Sequence, residues 1–216
     1  MVENQSETNP AVAEFEVADG IAVITLNRPA AKNAINPELH ERLKTLWAQI
    51  EADDDIGVTI VTGTGDAFCA GADLKSYMNR WPGASPEAVR ANVADGLGGL
   101  TRGMHRHPKP TIAAVNGWAL AGGFETALAC DIRIASERAR FGSFEARRGF
   151  HHADGGIPRL VNSAGVSVAM QMLLTAEPID AQQALAWNLV SEVVPHDELL
   201  VRAHLIARQL LRTDLR

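Results

Sequence analysis

Two apolar strands, each running into a turn of small residues and then into a helix, constrain the fold of this chain most strongly. The first strand, 58–61, leads to Phe68-Cys69-Ala70-Gly71-Ala72-Asp73, and the second, 112–115, leads to Ala121-Gly122-Gly123-Phe124-Glu125. Strands that alternate with helices in this way are typical of an α/β fold. The sequence therefore predicts an α/β core in which two strand-to-helix turns have the same construction.

The small residues of these turns suggest a chemical role. The N–H groups at a helix N-terminus lack intrahelical partners and carry partial positive charge. Small side chains let a ligand approach that backbone closely. Two such turns directed at one oxygen would form an oxyanion hole, which stabilises developing negative charge. The alternative interpretation is that each turn is only a tight connection in a packed core.

The remaining elements follow from local signals. A hairpin is predicted over 12–27, with Asp19-Gly20 as its turn, and a helix begins at Pro37 with Asn36 as its N-cap. The segment 62–71 is predicted as a loop. The predicted helices cover 73–79, 86–106, 122–130 and, from about 155, most of the remaining chain, whereas further short strands are expected at 132–135, 139–141 and 190–194.

Length, charge and cysteine content limit the domain organisation and the kinds of partner that the chain can have. With 216 residues, it is predicted to comprise a tail at 1–10 without ordered structure, a core at 11–160 and a C-terminal helical region at 161–216. A net charge of −6 argues against nucleic-acid binding. No apolar run approaches bilayer length, so no membrane partner is expected. Two widely spaced cysteines and the absence of a secretory signal favour a cytoplasmic protein.

Several motifs, in one order along the chain, resemble those of the enoyl-CoA hydratase/isomerase (crotonase) family. The first turn resembles the F-x-A-G-A-D-[LI]-K motif, and 109–117 resembles K-P-x-I-A-A-V-N-G. The match continues through 121–125 and 130–133, and it begins with Leu26-Asn27-Arg28-Pro29 and Lys32-Asn33-Ala34. The resemblance covers about residues 12–210.

This resemblance implies a fold, a ligand and an assembly. The fold would be a crotonase-like spiral of repeated ββα units with a C-terminal helical region, which here is expected to be shortened. The ligand would be an acyl-coenzyme A thioester, whose oxygen would accept hydrogen bonds from the N–H groups of Ala70 and Gly122. Coenzyme A would be part of the substrate, so no separate cofactor is expected. The assembly would be a homotrimer or a hexamer.

The resemblance also assigns two proton-moving residues, Glu125 and Glu145. Hydration of an α,β-unsaturated thioester needs a base for the water and an acid for Cα. By resemblance, Glu125 would activate the water and Glu145 would protonate Cα, and two such neighbours would titrate as a coupled pair. The alternative is that Glu125 only stabilises a helix dipole and that Glu145 is a solvated loop residue.

The loop at 149–160 departs from the family's G-x-x-P-G-x-G-G-x-x-R-L pattern, because His152 replaces the proline and Ala153 replaces the following glycine. The N–H of Ala153 is still expected to position water. His151, His152 and Asp154 have three interpretations: surface polar groups, a pocket lining that selects a polar or short acyl chain, or a metal site. The last is least expected, and no metal is predicted.

The remaining predicted contacts concern substrate binding and a cysteine. Besides the two histidines, the predicted substrate-binding residues are Lys32, Ala72, Asp73 and Lys75. The alternative for the lone charges Lys32 and Lys75 is a position on a solvated face without a ligand. Cys69 lies beside the first turn, but no partner signature for a cysteine nucleophile is present, and a small buried cysteine is expected.

The leading hypothesis is an enoyl-CoA hydratase, a lyase that adds water to a 2-enoyl-CoA. The alternatives are another reaction of the superfamily, double-bond isomerisation or thioester hydrolysis, and a protein that binds acyl-CoA without catalysis.

Overall fold

A computed structural model of the chain describes residues 11–80, 82–101 and 107–213. The predicted tail at 1–10 and the stretch 102–106 of the predicted second long helix lie outside the described residues.

The described chain alternates strands and helices from its first hairpin to its last helix. The strands are β1 (Ala13–Ala18), β2 (Ile21–Leu26), β3 (Val58–Gly63), β4 (Ala67–Cys69), β5 (Thr111–Val115), β6 (Trp118–Leu120), β7 (Ile132–Ser136), β8 (Arg140–Gly142), β9 (Ile179–Asp180) and β10 (Glu192–Val194). The α-helices are α1 (Pro37–Ala52), α2 (Pro86–Asp95), α3 (Gly122–Ala129), α4 (Gly156–Ala164), α5 (Val166–Thr175), α6 (Ala181–Ala186) and α7 (Leu199–Leu210).

The strands form two sheets. The larger has the order β1-β2-β3-β5-β7-β10, and all of its pairs are parallel except the β1–β2 hairpin. The smaller has the order β4-β6-β8-β9, with a final antiparallel pair. Successive strands β3 and β4, β5 and β6, and β7 and β8 divide between the two sheets. This is the predicted arrangement of repeated ββ units, with a helix after the second pair.

The predicted hairpin and first helix are confirmed. The β1–β2 pair is antiparallel from Ala13–Leu26 to Ala18–Ile21. Asn36 caps α1, because its side-chain oxygen accepts a hydrogen bond from the Leu39 N–H at 2.9 Å. The apolar face of α1 is buried as predicted; it comprises Leu39, Leu43, Leu46, Trp47 and Ile50.

Three predicted elements were wrong. The loop predicted at 62–71 contains β4, because a strand of three residues is too short to show a period. The predicted helix at 73–79 is a series of turns that ends in a short 3-10 helix, Met78–Arg80. The predicted helix from 86 ends at Asp95, because Gly96 adopts φ 68°.

The last helix packs against the larger sheet and completes the fold on that side. Leu199, Ala203, Ile206 and Ala207 of α7 are buried in one cluster with the sheet residues Ile21, Val58, Ile60, Ile112, Ala114 and Ile134. Among the described residues, no helix combines the length and apolar character that crossing a membrane requires.

Buried asparagine side chains hold the connection between β3 and β4. The Asn116 amide donates to the carbonyl oxygens of Gly65 and Ala67, both at 3.1 Å, and its oxygen accepts from the Gly63 N–H at 3.2 Å. Because the side chain is nearly inaccessible to solvent, water cannot replace these bonds. Asn116 therefore fixes the path that leads to the first small-residue turn.

We expect Asn116→Ala to lower the free energy of unfolding by about 2–3 kcal/mol, since buried backbone groups would lose their partners. Asn162→Ala, on an exposed position of α4, is the matched control and should change it by less than about 0.5 kcal/mol. Urea denaturation followed by circular dichroism measures both values. Equal effects of the two substitutions would contradict this role of Asn116.

Candidate active site

The two small-residue turns meet directly. A Cβ atom on Gly71 would lie 2.8 Å from the Gly122 nitrogen and 3.1 Å from the Ala121 Cβ, so only glycine permits this approach. Gly71 also has φ +88°, which disfavours any other residue. A cavity of about 730 Å³ opens beside this contact, and Ala70, Ala72 and Gly122 are in its wall. The predicted convergence of the two turns is therefore present.

The prediction that Ala70 supplies the first N–H donor was wrong. The Ala70 N–H donates to the Lys32 carbonyl oxygen at 3.0 Å, so it is not available to a ligand. Ala72, two residues later, makes no backbone hydrogen bond through its N–H to any residue that the structure describes. The available N–H of the first turn is therefore that of Ala72, which lines the cavity.

The second turn presents Gly122 at the N-terminus of α3. The first N–H groups of a helix have no intrahelical acceptor, and Gly122 occupies the first position of this one. The preceding residue, Ala121, has φ 51° and ψ −129°, a conformation that costs about 1–3 kcal/mol for a residue with a side chain. Backbone strain of this kind is often retained at functional sites. Here the strained residue, Ala121, directly precedes Gly122, the predicted N–H donor.

Glu125 lies in the first turn of α3 and borders the same cavity. It is 2% exposed. Its Oε1 accepts hydrogen bonds from the N–H groups of Asp154 and Gly156, at 2.9 and 2.8 Å. The carboxylate is thus fixed by two backbone groups at the start of α4 and in the loop just before it.

Glu145 borders the cavity from a 3-10 helix, Phe144–Arg148, that follows β8. It is 4% exposed, so the interpretation as a solvated loop residue is wrong. Burial raises the pKa of Glu145 above its usual range, and the neighbouring His152 opposes that rise. A carboxyl group with a raised pKa is suited to deliver a proton near neutral pH.

The side chain of His152 is completely buried between the two glutamates. Its Nδ1 lies 3.3 Å from Glu125 Oε1, and its Nε2 lies 3.4 Å from Glu145 Oε2. Burial alone would lower the pKa of His152, but the two carboxylates outweigh it and the pKa lies above its ordinary value. The interpretation of His152 as a surface group or a pocket lining is therefore wrong, because the ring lies behind the carboxylates.

The Glu125, Glu145 and His152 side chains also form the one cluster among the described residues that a metal ion could occupy, with ligand atoms within 4.8 Å of one another. However, Glu125 Oε1 already accepts two N–H bonds. When protonated, an imidazole between two carboxylates supplies compensating positive charge itself, so these contacts have the geometry of an ion pair.

The other predicted site residues divide into two groups. His151 and Ala153 line the cavity, and their predicted roles in substrate binding and water positioning stay predictions. Lys32, Asp73 and Lys75 are not in its wall. The exposed Lys32 ammonium pairs with Asp66 at 2.7 Å, and the Asp73 carboxylate accepts from the N–H groups of Lys75 and Ser76 and pairs with Arg28 at 3.2 Å. Asp73 therefore stabilises its own turn.

Much of the cavity wall was missed by sequence reasoning. It is mainly apolar, with Leu74, Met78, Val89, Leu97, Leu120, Phe144 and Phe150. Its polar part includes Tyr77, whose hydroxyl lies 2.6 Å from Asn92 Oδ1, and Asp154, which accepts from the Leu97 N–H at 2.8 Å. No motif marks these positions, because they come from separate elements of the chain that only the tertiary fold brings together.

The predicted inert role of Cys69 is confirmed. The side chain is fully buried, and burial raises the pKa of its thiol to about 12. A thiol with this pKa is not a nucleophile at neutral pH.

Two sheets linked by repeated ββ units, with a helix N-terminus and two glutamates around one pocket, define a crotonase-fold protein. The family model for enoyl-CoA hydratase/isomerase matches residues 16–215. The chain belongs to the enoyl-CoA hydratase/isomerase family.

Individual relatives agree with this assignment. The chain is 42% identical over 195 residues to a mevalonyl-coenzyme A hydratase of Aspergillus fumigatus, covering 90% of this chain and 70% of the relative. It is 38% identical over 208 residues to a short-chain-enoyl-CoA hydratase of Clostridium acetobutylicum, covering 95% and 76%. The crystal structure of a carnitinyl-CoA hydratase from Mycobacterium avium superimposes with a TM-score of 0.85 at 36% identity, covering 96% and 77%.

We expect Gly71→Ala to destabilise the fold because it combines a strained φ with overlap against the second turn. Gly83→Ala is the matched control, since Gly83 has φ +78° but nothing within 4 Å of an added Cβ. The control should cost about 1 kcal/mol, and Gly71→Ala about 2 kcal/mol more. Chemical denaturation measures the difference, and equal losses would show that the two turns do not depend on this contact.

Proposed function

We propose that this protein is an enoyl-CoA hydratase, a lyase that adds water across the double bond of a 2-enoyl-CoA. One observation carries the proposal: two buried glutamates, Glu125 and Glu145, border the same cavity as the available N–H groups of Ala72 and Gly122. Membership of the family and its several hydratase relatives support the same reaction.

The oxyanion hole in this proposal consists of the N–H groups of Ala72 and Gly122. As water adds to an enoyl thioester, negative charge accumulates on the thioester oxygen. Donors already held in place stabilise that charge without reorganisation, and each is worth about 3–4 kcal/mol in favourable sites. Because the charge is greatest after the attack has begun, the hole favours the transition state over the bound substrate.

The glutamates divide the proton transfers. The water oxygen forms its bond to Cβ while Glu125 takes one water proton. The π electrons of the double bond move onto the thioester carbonyl, forming an enolate. Cα then takes a proton from Glu145, the enolate electrons form the new C–H bond, and the carbonyl is restored. The proton gained by Glu125 and the one lost by Glu145 balance over the cycle, and the product is a 3-hydroxyacyl-CoA.

Coenzyme A enters this proposal as part of the substrate, so the reaction needs no separate cofactor. The chemistry uses only proton transfer and charge stabilisation, which the two carboxylates and two N–H groups can supply. The cavity of about 730 Å³ has the size of a small-molecule site and suits an acyl chain through its apolar wall.

We expect Glu125→Gln and Glu145→Gln each to lower kcat for crotonyl-CoA hydration by about 100-fold or more, because each removes one proton-transfer step. The loss of the conjugated-enoyl absorbance measures the rate. Glu16→Gln, at an exposed position of β1, is the matched control and should keep the wild-type rate. Both catalytic variants should still bind a saturated acyl-CoA in a calorimetric titration.

The same assay separates the alternatives. Wild-type protein that leaves the enoyl absorbance unchanged with short and medium acyl chains would contradict the hydratase proposal. Binding of acyl-CoA without turnover would then identify a binding protein, release of free thiol would identify a thioester hydrolase, and movement of the double bond an isomerase.

We also propose that the protein assembles as a homotrimer or hexamer in the cytoplasm. Two free, buried cysteines are compatible with a reducing compartment. An apolar row on α5 supports assembly: Val166, Met170 and Leu174 are 65%, 47% and 71% exposed and follow one another at intervals of four residues. Such a row is unusual on a surface that contacts only water.

We expect light scattering after size exclusion to give a multiple of three of the 23.2 kDa chain mass. Replacing both Met170 and Leu174 with Glu should lower that mass, because the apolar row would no longer exclude water. A wild-type mass of one chain at micromolar concentration would contradict the proposed assembly.

A further inference from the structure

We propose that His152 is a positioning residue for the hydration reaction, whose ring spans Glu125 and Glu145 and holds both carboxylates in fixed places beside the cavity. This inference rests on the proposed function, because it assigns a purpose to the geometry of the two glutamates. The histidine stands where the family's loop pattern has a proline, so it belongs to this chain's own version of the site.

The position of the ring excludes direct contact with the substrate. Its side chain is 0% exposed and does not contribute to the cavity wall, whereas both glutamates do. The ring meets Phe124 edge to face, with centroids 6.4 Å apart. It can therefore influence the reaction only through the two carboxylates that lie between it and the cavity.

The ring also cannot turn away easily. A Cβ on Gly156 would lie 2.2 Å from His152 Nδ1, so the imidazole occupies the space that a side chain at this first position of α4 would fill. Glu125 on one side is itself fixed by two backbone N–H groups. The ring is thus held by packing as well as by charge.

Glu145 depends on His152 more than Glu125 does. Within the described part of the chain, Glu145 Oε2 is buried and has no well-aligned hydrogen bond, and its close polar contact is His152 Nε2 at 3.4 Å. Both ring nitrogens likewise make ion-pair contacts without ideal hydrogen-bond alignment. Removing the ring would leave Glu145 Oε2 buried without this contact.

The surrounding charges explain why a cation is needed there. The acidic groups that act on the ring are Glu125 on α3, Glu145 on the 3-10 helix and Asp154 on the loop before α4; the two glutamates are buried, and Asp154 is half-buried. Arg159 on α4 is a further cation near these groups, and its guanidinium donates to the backbone oxygen of Asp154 at 2.8 Å. A protonated ring at this position offsets the negative charge of the acidic groups around it.

The test compares His152→Phe and His152→Gln with wild type, and uses His196→Gln, outside the cavity wall, as the control that removes a histidine elsewhere. With crotonyl-CoA, His152→Phe should lower kcat by at least about tenfold because Glu145 loses its fixed position. Its KM should change by less than about threefold, because the ring does not touch substrate.

The pH dependence gives a readout that a merely structural role would not change. Loss of the nearby cation raises the pKa of Glu145, which must be protonated to deliver its proton, so the alkaline limb of the kcat profile should move to higher pH by about one unit in both variants. The Gln variant should recover part of kcat, because its amide can still donate to one carboxylate, but not the wild-type position of the alkaline limb. Wild-type kcat and an unmoved alkaline limb in His152→Phe would overturn the proposal.

A measurement without substrate separates this inference from the proposed function. In wild-type protein labelled with ¹⁵N-histidine, the signal absent from His152→Gln should show both ring nitrogens protonated at pH 7, above the usual His pKa of about 6.5. A neutral ring at that pH would overturn the proposal. A protonated ring in a protein without hydratase activity would support the positioning role of His152 and overturn the proposed hydratase function. A stoichiometric metal whose chelation abolishes activity would overturn the positioning role.

Discussion

The close approach of Gly71 to Gly122 is the contact on which the site depends. It brings a turn from the first strand-to-helix unit within van der Waals range of the N-terminus of α3. Every other functional group is placed relative to this contact: Ala72 follows the first glycine, Glu125 follows the second, and the cavity opens beside both. The larger sheet serves to bring β3 and β5 together as neighbours, so that the turns after them meet.

Around this contact the protein keeps an unusual amount of charge away from water. Two glutamates and a histidine are buried within one small region, and a half-buried aspartate lies beside them. Burial of isolated charges is costly, and it is tolerated where the groups compensate one another or accept backbone N–H bonds. The segment from His152 to Gly156 provides both kinds of compensation. It donates two backbone N–H groups to Glu125, and it carries the imidazole of His152. A single segment thus organises the acid–base chemistry.

The architecture and the two glutamates could be predicted from the sequence because they are encoded in ordered motifs and in strand–turn–helix patterns. The identity of the first N–H donor could not. Ile35 and Ala72 form a parallel bridge, in which Gly71 and Asp73 bond to Ile35 while the Ala72 N–H points the other way. Which of two alternating N–H groups faces the ligand is set by that pairing, and the motif letters do not contain it. The burial of His152 was equally hidden, because it depends on the missing side chain of Gly156.

The segment from Arg28 to Ile35 contributes no residue to the cavity wall. It nevertheless makes hydrogen bonds and an ion pair to the first turn on both sides of Ala72. Lys32 binds the Ala70 N–H, Ile35 binds Gly71 and Asp73, and Arg28 pairs with the Asp73 carboxylate. These contacts fix the orientation of the Ala72 peptide group. Under the proposed function, substitutions in this stretch would change the rate of hydration through the direction of one N–H group, without changing any residue of the cavity wall.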